Sequence, residues 1–409
     1  MPDMSPPPST APDPGAGAAT VDLGALGLDG GAHLLLDHAL APLPPGTRLV
    51  VKGRDPALAV HLRVWARARG HRVDPSSDGK LVVVRGSAND DRWRDAARAG
   101  DARAATATRA DARWGLAARG ALIESGGPAP RFDLDDHDVV WADIAPQLYA
   151  QALAGQWDPA TSIPWDAATD LSPEVEAAVV QVMTYLIENE QAALTVPARF
   201  LGRVHPHFRE IVQLLAVQVA DEARHVEVFT RRARLHGDTL GVSGAGGRAS
   251  LQSLLDEPDF TLALFLLSVL GEGSFLNLLA FLERHAPDPV TAAIAHLVLQ
   301  DEARHVAYGL AHVELAVRAD PSLRASLQMA IERRHDALRD TAGLNQAVHD
   351  ALTVLAAGAW EPDAIAAGVT RVRTLEAEMD EGRRWRLARL GYSTDDAAAL
   401  SALHTRNFM

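Results

Sequence analysis

The hexapeptide Asp-Glu-Ala-Arg-His-Val occurs twice in this chain, at 221–226 and again at 301–306, eighty positions apart. A single Glu-x-x-His turns up about once by accident in a chain of this length, so one copy alone says little. Two identical copies restrict the fold severely. On an α-helix, residues three apart lie on one face about a turn from each other, so each copy presents one carboxylate and one imidazole together. Two such helices facing one another can hold two cations, provided each remaining helix adds one inward carboxylate.

The chain contains such carboxylates at matching distances. Glu190 lies 32 residues before Glu222, and Glu272 lies 30 before Glu302, so two antiparallel helix pairs would bring each Glu level with its Glu-x-x-His. Glu188 is the alternative on the first helix; it points to a different side, and the spacing favours Glu190. Glu272 sits in LLSVLGEGSFLNLL, where a buried carboxylate without a cation would be costly. For Glu222, His225, Glu302 and His305 the plain alternative is a solvated helix face, which the duplication argues against.

Helical periodicity over this region predicts helices at about 173–202, 207–236, 259–284 and 288–318. Ser172 is a favourable N-cap, Pro173 suits the first helical position and Glu174 the first turn. Pro197 predicts a kink or an early end to the first helix. The stretch Phe260 to Leu282 is long and apolar enough to raise the question of a membrane span. Glu272 near its middle, and the lack of a second such segment or of flanking basic clusters, favour a buried bundle helix and no membrane.

Composition limits the chemistry. There is no cysteine, which excludes disulfides, thiolate nucleophiles and cysteine-ligated zinc or iron–sulfur clusters. Any metal must sit on His, Asp or Glu, and four carboxylates with two imidazoles form a hard site that suits iron or manganese better than copper or zinc. A net charge of −14 offers no basic footprint for nucleic acid.

The order Glu, Glu-x-x-His, Glu, Glu-x-x-His resembles that of the ferritin-like di-iron carboxylate family, from Ser172 to about Asp320. The resemblance implies a ferritin-like four-helix bundle in which Glu190, Glu222, His225, Glu272, Glu302 and His305 hold two iron ions, with manganese or a mixed Mn/Fe pair as alternatives. It also implies that Asp221 and Asp301 hold the far nitrogen of a ligand histidine, with Arg224 and Arg304 paired to those aspartates. Several members are disfavoured by particular residues. Phe229 replaces the radical tyrosine of the ribonucleotide reductase small subunit, Val298 the extra histidine of arylamine N-oxygenases, and Leu276 the threonine common in bacterial multicomponent monooxygenases. The absence of cysteine disfavours rubrerythrins, and the long flanking segments disfavour storage ferritins.

What the resemblance leaves is a dioxygen-dependent monooxygenase or oxidase that hydroxylates, desaturates or N-oxygenates a small organic substrate. Leu194, Phe229, Phe275, Leu276 and Leu279 are candidates for its pocket, with plain core packing as the competing reading. No flavin or ferredoxin module is visible, so a separate reductase or ferredoxin is the expected electron donor. The oligomeric state is open, although such bundles often dimerise. The competing functions are an iron-buffering ferroxidase without an organic substrate, and a protein whose metal is structural.

Five segments are expected: a disordered Pro-, Ala- and Gly-rich tail over 1–20, a small α/β domain over 21–87, a helical connector over 88–138, the bundle with a preceding helix and loop over 139–320, and a helical extension over 321–409. The tail lacks the regions of a signal peptide, so a cytoplasmic location is expected. Within the α/β domain, LVVK at 49–52 and KLVVVRG at 80–86 read as strands, and Pro56 to Gly70 reads as its one helix. Through LGALGL and APLPPGTRLVVKGRDPALAVHLRVWARARGH this part resembles a TusA-like sulfur carrier. The Cys-Pro of such carriers aligns with Gly30 and Gly31, so the resemblance implies a contact module without sulfur transfer. The chain as a whole is expected to be mainly α.

Overall fold

The computed structural model describes residues 19–75, 80–88, 90, 92–103, 106–338 and 346–404. The tail expected over 1–20 lies outside these, apart from Ala19 and Thr20, which open the first strand. The chain divides into two compact units, one reaching to Arg98 and including Ala121–Gly127, the other comprising Ala99–Gly120 and everything from Pro128 onward.

The first unit alternates strands and helices: β1 (Ala19–Asp22), α1 (His33–Leu40), β2 (Arg48–Lys52), α2 (Leu58–Ala68), β3 (Arg72–Pro75) and β4 (Leu81–Val84). Its sheet runs in the order β1-β2-β4-β3, with β1 parallel to β2 and β4 antiparallel to both its neighbours. Leu36, Leu40, Leu49, Val51, Leu58, Leu62 and Val83 form one core between helices and sheet. Two helices stand where one was expected, because α1 carries only two fully buried residues, Leu36 and Leu40, too few to set up a visible period. Gly31 has φ +108°, a conformation closed to the proline that a sulfur carrier would place there.

The segment 88–138 corrects the expected helical connector. Among its described residues it contains a two-stranded pairing of β5 (Ala97–Arg98) with β6 (Leu122–Ile123), a single 3-10 turn at Ala112–Trp114, and the start of α3 (His137–Val140). Its alanines favour helix, but Gly100, Gly115 and Gly120 all take positive φ, and these turns break any helical run.

The second unit is helical. After α3 and α4 (Ala145–Ala154) come the bundle helices α5 (Pro173–Leu201) and α6 (Arg209–Ala233), which pack as a hairpin. A crossover over 234–259 contains α7 (Ala245–Leu255). The third bundle helix has three parts, α8 (Phe260–Leu264), a π-turn (Phe265–Glu272) and α9 (Gly273–His285), and it packs on α10 (Pro289–Ala319). Ser172 caps α5 by accepting from the Val175 amide at 3.4 Å. Pro197 is buried within α5, which continues to Leu201, so the proline does not end the helix. The membrane-length segment Phe260–His285 is buried inside the bundle over 83 % of its apolar window.

The extension consists of α11 (Leu323–Leu338), α12 (Gln346–Ala357), α13 (Pro362–Arg389) and α14 (Thr394–His404). The extension continues to α14, whose Leu400 and Ser401 are buried. Its apolar side joins the core of the bundle through Val348, Leu352, Val372, Leu375, Met379 and Leu387.

Candidate metal centre

The inward stripe of α6 reads Ile211, Leu214, Leu215, Gln218, Asp221, Glu222, His225, Val228 and Phe229, all buried. Their spacing of three and four residues is that of one helix face, and the face turns polar for two turns in its middle. The stripe of α10 does the same, passing through Val298, Asp301, Glu302 and His305. On α5 the face Val179, Val182, Met183, Leu186, Glu190 and Ala193 is buried, whereas Glu188 points elsewhere and is half-buried. The third helix delivers Glu272 from the end of the π-turn.

All six predicted ligands converge. Glu190, Glu222, His225 and Glu302 each offer one atom within 4.8 Å of the others, and so do Glu222, Glu272, Glu302 and His305. Glu222 and Glu302 belong to both sets. Two neighbouring cation positions sharing two carboxylates are therefore laid out, with Glu190 and His225 proper to one position and Glu272 and His305 to the other. All six side chains are at most 4 % exposed.

Both histidines turn Nδ1 towards the carboxylates. His225 Nδ1 lies 3.1 Å from Glu222, 3.4 Å from Glu190 and 3.3 Å from Glu302; His305 Nδ1 lies 3.0 Å from Glu222 and 3.5 Å from Glu302. The other nitrogen is held by an aspartate of the opposite copy. Asp301 is 3.2 Å from His225 Nε2, and Asp221 is 3.4 Å from His305 Nε2. Arg224 pairs with Asp221 and reaches Asp301 at 2.9 Å, while Arg304 pairs with Asp301. The exchange of partners ties α6 to α10 directly behind the centre.

The loop before α5 closes this layer. Trp157 Nε1 donates to Asp301 at 2.8 Å and its ring stacks at 10° on His225, with centroids 6.4 Å apart. Gln156 donates to Asp221 at 3.1 Å and accepts from Arg224 at 2.7 Å. A loop before the bundle is expected from the sequence; the link of its Trp157 to Asp301, 144 residues away, is not visible there. Gln218 was also missed, although it stands one turn before Glu222 on the same stripe. It is 1 % exposed, and its amide nitrogen is 3.5 Å from Glu272.

The electrostatics of the cluster call for positive charge. Burial pushes the Glu190 carboxyl well above the usual carboxylate range, reinforced by Glu222 and Glu302. Burial does the same to Glu272, reinforced by Glu302 and Glu222. Glu222 is held below that range, because His305 and the other neighbours outweigh its burial. Burial works against protonation of both histidines, but Asp301 and the surrounding glutamates hold His225 well above the usual imidazole range, and Glu222 and Glu302 do so for His305.

The donor atoms fit a pair of divalent cations. Glu190 Oε1, Glu222 Oε1, Glu272 Oε2, both oxygens of Glu302 and His305 Nδ1 are buried without a hydrogen-bond partner. Orphaned groups of this kind are rare in folded proteins, because each costs about 1–3 kcal/mol. Here they cluster at one point, and they are oxygen and imidazole donors of the kind hard divalent metals take.

Of the five candidate pocket residues, three are buried and two are partly exposed. Phe229, Phe275 and Leu279 are packed in the continuous core, Leu194 and Leu276 are half-buried, and none of them lines a described cavity. Core packing, the competing reading, accounts for the first three. Phe275 lies against Tyr185, with ring centroids 6.1 Å apart.

No protein-family model and no curated protein matches this chain. Among solved structures it is similar to an R2-like ligand-binding oxidase variant with aerobically reconstituted Mn/Fe cofactor, at 17 % identity and TM-score 0.44, over 64 % of this chain and 94 % of the other. Another R2-like ligand-binding oxidase with a reconstituted Mn/Fe cofactor gives 16 % and 0.40, over 65 % and 91 %. A protein with aldehyde deformylating oxidase activity from Synechococcus gives 18 % and 0.41, over 56 % and 96 %. What the centre can hold follows from its own residues.

Proposed function

We propose that this chain is a dioxygen-activating oxidoreductase that holds two iron ions, or a mixed manganese and iron pair, on Glu190, Glu222, His225, Glu272, Glu302 and His305. The observation that carries the reading is the sharing of Glu222 and Glu302 between two buried four-residue sets. A lone structural ion needs one set; two sets with common carboxylates suit a pair of ions that act together. When bound, such a pair would supply electrons for the reduction of dioxygen. The chain's own part is to set ligand geometry, to fix the histidine rings through Asp301 and Asp221, and to keep bulk water out with the surrounding leucine and phenylalanine side chains.

The substrate is proposed to be a small organic molecule that is hydroxylated, desaturated or N-oxygenated, with electrons from a separate reductase or ferredoxin. The α/β unit, read as a TusA-like module without the sulfur-carrying cysteine, would serve as a contact surface and not as a catalyst. The test is anaerobic loading with ferrous iron, followed by metal quantification and exposure to dioxygen. Two irons per chain are expected, with dioxygen uptake beyond that of free ferrous ion and loss of both in Glu222→Ala. Many irons per chain would favour iron buffering, and binding of two without dioxygen uptake would refute the oxidase reading.

A further inference from the structure

The C-terminal extension meets the third bundle helix at a point of unusual chemistry. Arg383 and Arg386 of α13 are 2 % and 5 % exposed, and neither forms an ion pair with a described residue. Arg383 donates to the Ser274 hydroxyl at 3.0 Å and to that of Ser401 at 3.2 Å. Arg386 donates through Nε to the Val269 carbonyl at 2.6 Å. Burying a guanidinium without a carboxylate is expensive, so its position calls for an explanation.

Val269 lies inside the π-turn. In an α-helix its carbonyl would accept from the Gly273 amide four residues on. Here that amide bonds to Ser268, Leu270 and Gly271 instead, and Arg386 supplies a donor to the carbonyl. The approach needs Gly273: a Cβ there would stand 2.5 Å from both Cζ and Nε of Arg386. Glu272 is the last residue of the turn and adjoins Gly273. π-Turns of this kind are frequent at functional sites because the extra residue re-aims a side chain, and they carry an energetic cost that something must offset.

We propose that Arg386, seated over Gly273, is a positioning residue that holds the π-turn in the register aiming Glu272 at the His305 half of the metal centre, so that metal affinity there depends on the C-terminal helix. The inference rests on the two-ion reading above. Its signature is selectivity: disturbing the notch weakens one of two positions, whereas a merely structural contact would move stability and leave the centre unchanged.

The full-length chain is titrated with Co(II), reading stoichiometry by equilibrium dialysis and ligand geometry by the visible spectrum, with circular dichroism and thermal melting alongside. In R386M and in G273A, which keeps the arginine but fills the notch, one Co(II) binds as in the unaltered chain and the other at least about tenfold more weakly, the size of effect seen when a group orienting a ligand is lost. R386K, which keeps charge and most of the bulk, falls between and guards against loss of folding. Two ions at unchanged affinity and spectrum in R386M and G273A would overturn the proposal, as would equal weakening of both positions in folded protein. If the unaltered chain fails to bind a pair, it is the reading of the centre that fails.

Discussion

Replacing Glu190 with glutamine separates the two positions and measures the repulsion that drives cation binding. Glu190 belongs to one ligand set only, and the ligand atoms of that set lie within 4.8 Å of one another. Two unit charges at 4.8 Å interact by about 3.5 kcal/mol at an effective dielectric constant near 20. Full ionisation of Glu190 beside Glu222 and Glu302 therefore costs about that much twice over. The folded chain avoids this cost by protonation or by binding a cation, and the raised Glu190 carboxyl expresses the first option. A group whose folded pKa is raised loses stability as pH climbs above its ordinary value. The metal-free E190Q protein should thus match the parent near pH 5 and be increasingly more stable than it towards pH 8, the comparison cancelling the titrating groups that do not touch Glu190. Metal binding should move the other way. A saturated position contributes about 2.7 kcal/mol at a free metal concentration 100 times its Kd, and E190Q should lose one such contribution where E222Q loses two. Paired melts of metal-free and Mn(II)-loaded protein at pH 5 and 8, with stoichiometry by equilibrium dialysis, give both quantities. Loss of both positions in E190Q, or a metal-free E190Q less stable than the parent at pH 8, would refute the arrangement.

Metal binding should release protons, since the raised Glu190, Glu272, His225 and His305 all give them up to coordinate; calorimetry in buffers of different ionisation enthalpy should show release, and Mn(II) affinity should rise from pH 5 to 8. Away from the centre, Arg232 is fully buried and bridges Glu176 at 2.8 Å and Asp288 at 2.9 Å. Arg232→Met should cost about 3–5 kcal/mol in chemical denaturation because it strands Asp288, while metal stoichiometry stays the same; a cost below about 1 kcal/mol would show that the pair is dispensable.

What the sequence revealed, and what it hid, divides by the range of the interaction. The convergence of the candidate ligands was legible because helix spacing is local: Glu222 and His225 must share a face wherever the helix lies, and the duplicate at 302 and 305 repeats the constraint. The choice of Glu190 over Glu188 followed from the same geometry, and the half-buried Glu188 agrees with it. The π-turn was hidden because FLLSVLGE is apolar all round, so an inserted residue shifts no visible pattern. The helical connector was misread because alanine propensity is weak against turns built on glycines at positive φ. The exchange of Asp221 and Asp301 between the two histidines, the Trp157 contact and the Arg386 notch join residues far apart in the chain, and no periodicity encodes them.

The duplicated motif makes the ligands symmetric, but the residues around it do not repeat. Four positions after His225 stands Phe229, buried in the core; four after His305 stands Gly309. A Cβ at Gly309 would lie 2.4 Å from the Ser268 side chain, so glycine there is what allows the π-turn to press against α10. One half of the centre is thus carried by a continuous helix, α5, and stacked under Trp157 through His225. The other is carried by a π-turn that needs Gly309 on one side and Gly273 with Arg386 on the other. Two identical hexapeptides therefore place their carboxylates and imidazoles in unequal surroundings, and the inequality is written in glycines and in the C-terminal helix, outside the repeat. A centre of two equal halves would need neither glycine. Their joint placement around Glu272 is the reason to regard that half as the one the fold adjusts.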